Sequence, residues 1–243
     1  MRKIVVTGAA RGIGLAICKA FKSEGDYVIG IDITDKECDY IYYDEFLNLD
    51  LEAIVKNPEG YKSLFDKHKC IDVLINNAAI QIVKPFSELQ VDDWKKTFNI
   101  NVFGPIVLTQ ILLSKLKISN GLVINMSSIH KKLTKPEFSA YASSKHTIYG
   151  LTKSLALEFG DQIRFLSISP AAISTDMLFE GFNHSEEEVN KLSNLHPTKC
   201  IGTPTELANF IYSISSKKFK FLNGTDLEFD GGISSALLDA YYL

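Results

Sequence analysis

Tyr141 and Lys145 stand four residues apart in the run Tyr141-Ala142-Ser143-Ser144-Lys145. On a helix, residues at that spacing project from one face. A free tyrosine has a pKa near 10 and is neutral at pH 7, and a neighbouring ammonium favours its phenolate. Lowering that pKa by about 2–3 units takes roughly 3–4 kcal/mol and would poise Tyr141 as a general acid/base. A Tyr-x-x-x-Lys pair alone is common and is usually a solvated helix face, so its neighbours must decide. Ser128 lies 13 residues before Tyr141, just after the apolar run Leu122–Met126, and can hydrogen-bond a substrate oxygen. Asn76-Asn77-Ala78-Ala79 closes another apolar run. Asn101 stands in an otherwise apolar helical stretch, where a polar amide needs a partner or a task.

A second group could bind a nucleotide. Gly8, Gly12 and Gly14 punctuate Thr7-Gly8-Ala9-Ala10-Arg11-Gly12-Ile13-Gly14, between the first apolar strand and the first helical pattern. Glycines there permit a tight turn and close approach of backbone to ligand, and the helix start beyond offers free N–H groups to a pyrophosphate. The spacing G-x-x-x-G-x-G departs from the commoner G-x-G-x-x-G, and the strand–turn–helix context is what makes it specific. A purely structural turn is the competing reading. Asp32 follows Gly14 by 18 residues at the end of the second strand. A carboxylate at that separation binds ribose hydroxyls and repels a 2′-phosphate, which favours NAD over NADP. Arg11 is the counter-argument, since a guanidinium in the turn suits a phosphate.

These groups need a frame. Short, nearly continuous apolar runs at Lys3–Thr7, Tyr27–Asp32, Tyr40–Tyr43, Val73–Asn76, Leu122–Met126, Arg164–Ser169 and Thr225–Phe229 read as strands covered on both faces. Helical patterns fall between them at Gly12–Glu24, Asp92–Leu116, Ala140–Phe159 and Pro204–Ser213, the last with Thr203 as cap. The expectation is an α/β fold of Rossmann type: a doubly wound, seven-stranded parallel sheet with helices on both faces. Leu178–Pro197 is the least regular stretch; it carries His184 and Glu186-Glu187-Glu188, with Ser185 capping a short helix. Such an insertion is a candidate lid.

The chain has 243 residues, a net charge of −3, 46% apolar and 23% charged residues. No basic excess supports nucleic-acid binding. Cys18, Cys38, Cys70 and Cys200 lack metal-ligand spacing, so no metal is expected and free buried thiols are the reading. No run of about 20 apolar residues suggests a membrane span, and Met1–Gly8 runs straight into a strand pattern. Cytoplasm is the expected location.

At this point the chain resembles the short-chain dehydrogenase/reductase family, in its single-domain branch of about 250 residues. The glycine turn looks like the family's cofactor turn, and Asn76–Ala79 resembles its N-N-A-G segment. Asn101, Ser128, Tyr141 and Lys145 match its catalytic tetrad. Pro170-Ala171-Ala172-Ile173-Ser174-Thr175 resembles the segment lying along the nicotinamide, and Asn223-Gly224-Thr225 through Gly232 resembles the closing signature. The resemblance implies that Tyr141 exchanges the proton at the substrate oxygen. Lys145 lowers its pKa and holds the nicotinamide ribose, Ser128 orients the substrate, and Asn101 holds a relay water. It implies that Pro170, Ile173 and Thr175 meet the nicotinamide, that Asn77, Ala78 and Ala79 line the cofactor, and that Asp44, after the third strand, sits beside the adenine. Ala79 and Ala171 replace usual glycines; if either position needs φ > 0, alanine costs about 1 kcal/mol or more.

The expected protein is therefore one dinucleotide-binding and catalytic domain over 1–243, with a substrate-loop insertion around 176–200. It transfers a hydride between NAD and a secondary alcohol or carbonyl of a small molecule. An NADPH-dependent carbonyl or 3-oxoacyl reductase and a non-catalytic dinucleotide sensor are the alternatives. The resemblance also implies a homotetramer or homodimer, with Asp92–Leu116 and Ala140–Phe159 forming one contact. Around the site, His130 either faces substrate or stands exposed. Lys131 and Lys132 read as a solvated basic loop, and His146 as pointing off the catalytic face. Phe138, Met177, Leu178, Phe179 and Phe182 suggest an apolar wall. Tyr241-Tyr242 reads as an interface or as local packing.

Overall fold

The computed structural model describes residues 1–35, 39–182 and 185–236. Cys38, His184, Tyr241 and Tyr242 lie outside the described residues. The elements run β1 (Lys3–Thr7), α1 (Gly12–Ser23), β2 (Tyr27–Asp32), β3 (Glu45–Asn48), α2 (Leu51–Lys56), α3 (Glu59–Lys62) and β4 (Val73–Asn76). They continue α4 (Val91–Phe98), α5 (Gly104–Ser119), β5 (Leu122–Met126), α6 (Ser139–Phe159), β6 (Arg164–Pro170), α7 (Asp176–Gly181), α8 (Glu186–Leu195), α9 (Pro204–Ile214) and β7 (Asp226–Phe229). All seven strands pair in parallel, in the order β3-β2-β1-β4-β5-β6-β7.

Alternate strand residues serve opposite faces. Ile4, Val6, Ile75, Ile124 and Ile168 pack with Ile17 and Phe21 of α1 and with Leu207 and Ile211 of α9. Val5, Leu74, Val123 and Phe165 pack on the other side, with Leu108, Leu112 and Leu116 of α5. A strand buried on both faces cannot alternate with polar residues, which is why the runs read as continuously apolar. The rod Val91–Ser119 is long and apolar enough by length and composition to cross a membrane. Here Leu108, Leu112 and Leu116 are fully buried against the sheet.

The third strand differs from the sequence reading. Tyr40–Tyr42 is a 3₁₀ turn, with the Asp39 carboxylate accepting from Ile41 N, and the strand is Glu45–Asn48. Tyr43 turns inward, its hydroxyl donating to Ala9 O at 2.7 Å. Its ring occupies the space left by Gly30, where a Cβ would lie 2.7 Å from Tyr43 Cδ1. Tertiary packing overrides the β-propensity of an aromatic run. In the insertion, Ser185 caps α8 as expected, accepting from Glu188 N, and Thr175 caps the additional helix α7.

Candidate active site

The open end of the sheet gathers both groups of residues. Gly8 and Gly12 adopt φ of +66° and +55°, the left-handed region glycine tolerates. A Cβ on Gly14 would lie 1.9 Å from Gly8 O. Thr7 Oγ1 accepts from the backbone N–H of Asn77 and of Ala78, both at 3.0 Å, and Asn77 Nδ2 donates to Thr7 O at 2.9 Å. The turn is thus riveted to the exit of β4. Arg11 precedes α1 with no side-chain cap, and the first turn, with Ile13, holds no acidic residue. Its N–H groups and dipole suit an anion. Asp32 braces the same turn, accepting from Ala10 N at 2.9 Å and Thr34 N at 3.2 Å. A cradle that one methyl group would fill, lined by amides and followed by a carboxylate, fits a dinucleotide. Gly14→Ala should therefore lower the melting temperature and abolish NADH binding in a fluorescence titration, since overpacking costs about 1–3 kcal/mol or more. Retained binding would show that the turn has another purpose.

Asn101 sits in a widened turn, Asn99–Phe103, with π-helical bonding between α4 and α5. Such bulges in an α-helix recur at functional sites. Its amide brackets Ile80, accepting from Ile80 N and donating to Ile80 O, each at 2.9 Å, and it reaches Ser144 Oγ at 3.0 Å. Asn76 Nδ2 donates to Asn125 Oδ1 at 2.8 Å, and Asn125 Nδ2 to Thr152 Oγ1 at 2.9 Å. This buried ladder ties β4 and β5 to α6 beneath the site.

On α6, the Tyr141 phenol faces the Ser128 hydroxyl closely enough for that hydroxyl to favour its anion. Lys145 Nζ donates to Met126 O at 2.8 Å and lies 5.5 Å from the Tyr141 ring centroid. Burial pushes Tyr141 up to about 12, with Ser128 pulling the other way, and pushes Lys145 down to about 8. Burial is the leading cause for both groups: Lys145 is 3% exposed, and its ammonium is turned to a carbonyl.

His130 stacks on Phe138 at 4.7 Å, nearly parallel, and meets Tyr141 edge-on at 5.7 Å. Burial takes it down to about 4, so it is neutral at pH 7. Lys135 lies 4.5 Å from the Phe138 ring centroid and 5.6 Å from that of Phe182, spanning from this wall to the end of α7.

The remaining residues divide. Pro170 ends β6, Ile173 is buried and bridges to Gly202, and Thr175 Cγ2 would meet a Cβ on Gly12 at 3.5 Å. That brings the Pro170–Thr175 segment against the glycine turn. Neither Ala79 nor Ala171 is among the positive-φ residues, so the feared backbone cost does not arise. Asp44 is a correction. It precedes β3, accepts from Val28 N at 2.8 Å and pairs with Lys22 at 2.6 Å, at the amino end of the sheet and away from the turn. The acid at the carboxyl end of β3 is Asp50, which caps α2 while Leu49 N donates to Asp32 O. Misplacing the strand hid it; an acid at a helix start two residues past Asn48 was the available signal.

Lys131 is not a solvated loop residue. Its Nζ lies 3.1 Å from Asp226 Oδ2, with side-chain exposures of 9% and 7%. Asp226 also accepts from the Ser167 and Ser169 hydroxyls. Lys131 N donates to Ser128 O at 3.1 Å, so the pair pins the Ser128 loop to β7. Lys131→Met should cost about 3 kcal/mol in urea unfolding, because it strands a buried carboxylate. A loss below about 1 kcal/mol would show the pair to be dispensable.

An amide-lined turn and a Ser–Tyr–Lys cluster thus share the open end of one doubly wound sheet, and the comparisons with known proteins place the chain among oxidoreductases. A family profile described as short chain dehydrogenase matches residues 2–186, and the chain belongs to that family. It is 29% identical to the 3beta-hydroxysteroid dehydrogenase 1 of Eggerthella lenta, covering 96% of this chain and 94% of that protein. The ligand-free aldohexose dehydrogenase of Thermoplasma acidophilum superposes with a TM-score of 0.90 at 29% identity, covering 98% of this chain and 96% of that one. A 4-hydroxyisoleucine dehydrogenase complexed with NADH gives 0.89 at 30% identity, covering 98% and 100%.

Proposed function

We propose that the protein is a dehydrogenase that oxidises a secondary alcohol, or reduces the matching carbonyl, of a small molecule with NAD as cofactor. The observation that carries this is the convergence of Ser128 on the Tyr141 phenol with the Lys145 ammonium buried behind it. Bound NAD supplies the hydride acceptor. Tyr141 exchanges the proton at the substrate oxygen, Ser128 hydrogen-bonds that oxygen, and Lys145 biases the phenol toward its anion. Asn101 orders the proton path beside Ile80. His130, Phe138 and Phe182 form an apolar and aromatic wall that excludes water.

Gly8, Gly12, Gly14 and Ile13 cradle the pyrophosphate. Asn77, Ala78, Ala79, Pro170, Ile173 and Thr175 line the rest, and Asp50 takes the adenine-side place first assigned to Asp44. Asp32 supports NAD, since its carboxylate repels a 2′-phosphate, and the NADH-complexed relative supports the same reading. NADH should bind at least about tenfold tighter than NADPH, and Asp32→Ala should narrow that gap. Tighter NADPH binding would overturn the assignment in favour of Arg11 and an NADPH reductase. Working in the cytoplasm as one domain, the protein assembles through the outer faces of α5 and α6. There Leu157 is 89% exposed, with Phe103 at 46% beside α5; light scattering should return a dimer or tetramer mass, and a monomer would refute it.

A further inference from the structure

Beneath the return of the α7–α8 insertion lies a cavity of about 130 Å³ that Ser128, Tyr141 and Lys145 do not line. Its walls include His196, Thr198 and Cys200 from the loop after α8, Glu206 from the first turn of α9, and Asp230 beyond β7. His196 is 2% exposed. Its Nδ1 lies 2.9 Å from Leu192 O, and a carbonyl only accepts, so Nδ1 carries the proton. Nε2 therefore presents a lone pair, and it is buried with no partner.

The other polar groups are also acceptors. Burial raises the Asp230 carboxyl, but donors on Ser234 and Gly232 hold it below the usual range, so it is ionised at neutral pH. Among the described residues, neither Asp230 nor Glu206 has an ion-pair partner. Thr198 and Cys200 add one hydroxyl and one weak thiol donor. A space with two carboxylates, an orphaned imidazole lone pair and no cation is complementary to a positive group rich in N–H bonds. Among the described residues, no three metal-ligating side chains converge, which sets a metal ion aside.

We propose that this cavity is a second binding site, for a compact nitrogen cation: a primary ammonium or a guanidinium group. Such a ligand joins the end of α8, through His196, to α9 and the turn after β7, and steadies the insertion over the active site. Cys200 is exposed, so a longer side chain there reaches the cavity without crowding the core.

The test is a thermal melt of the full chain without cofactor, read independently of turnover, so that failure of the dehydrogenase reading leaves it standing. Guanidinium chloride or ethylammonium chloride below about 50 mM should raise the melting temperature saturably by about 3–6 °C at ten times the dissociation constant. Tetramethylammonium and sodium chloride at equal ionic strength should not, as neither donates an N–H bond. Cys200→Arg, carrying its own guanidinium, should melt higher than the parent and lose the response. Glu206→Gln should weaken it. No saturable shift in the parent, an equal shift with tetramethylammonium, or a full response in Cys200→Arg would each overturn the proposal.

Discussion

Tyr141→Phe is expected to cut turnover by about 10²–10⁴ while the protein still binds NADH and melts within a degree or so of the parent. The ring remains to meet His130 and Phe138 edge-on, so packing changes little. What disappears is the hydroxyl that faces Ser128. Burial pushes this phenol up to about 12, so the anion is scarce at neutral pH. Alcohol oxidation needs that anion, and its kcat/KM should rise with pH between 6 and 9. Carbonyl reduction needs the neutral phenol and should not show that rise. Paired activity and NADH-fluorescence measurements decide the matter: turnover within tenfold of the parent would remove Tyr141 from the chemistry.

The same residues mark the boundary of what sequence reading reaches. The Ser128, Tyr141 and Lys145 trio was legible because spacing on a helix and position after a strand are local properties. So were the glycine turn and six of the seven strands, since a strand covered on both faces is apolar throughout. The edge strand β3 was missed for the converse reason. Only one of its sides has a neighbour, its burial is partial, and Glu45 and Asn48 dilute the pattern. Tyr40–Tyr43 looked more strand-like, and only the space left by Gly30 explains where Tyr43 goes.

Charge was the least legible property. Lys131 and Lys132 are adjacent and identical in type, yet one is 9% exposed and the other 50%. The difference is made by Asp226, almost a hundred residues away on the other edge of the sheet. Desolvation is likewise a sum over atoms distant in sequence, so spacing alone does not give the direction in which burial pushes Tyr141. Local spacing brings an ammonium near a phenol; the surrounding fold decides which of the two gives way.

Lys145→Met follows from that last point and separates function from stability. Lys145 is pushed down to about 8 by burial, against an ordinary value of 10.5. Below pH 8 both folded and unfolded chains hold the proton, and the folded state bears the full cost of a buried ammonium. Between pH 8 and 10.5 the unfolded chain still holds a proton that the folded one has shed, so stability rises with pH and the cost fades. A shift of that size corresponds to about 3 kcal/mol. The lost hydrogen bond to Met126 O offsets about 1 kcal/mol of it. Methionine fills the space without charge, so the variant should be more stable than the parent at pH 7 by about 2 kcal/mol, a rise of roughly 4–8 °C in melting temperature. The two should cross near pH 10, with the parent ahead by up to about 1 kcal/mol above that, where only the lost hydrogen bond remains. Activity should fall at least a hundredfold over the same range. A lysine kept for structure would give the opposite result, a variant less stable at pH 7, and melting curves at pH 7 and 10 tell the two apart.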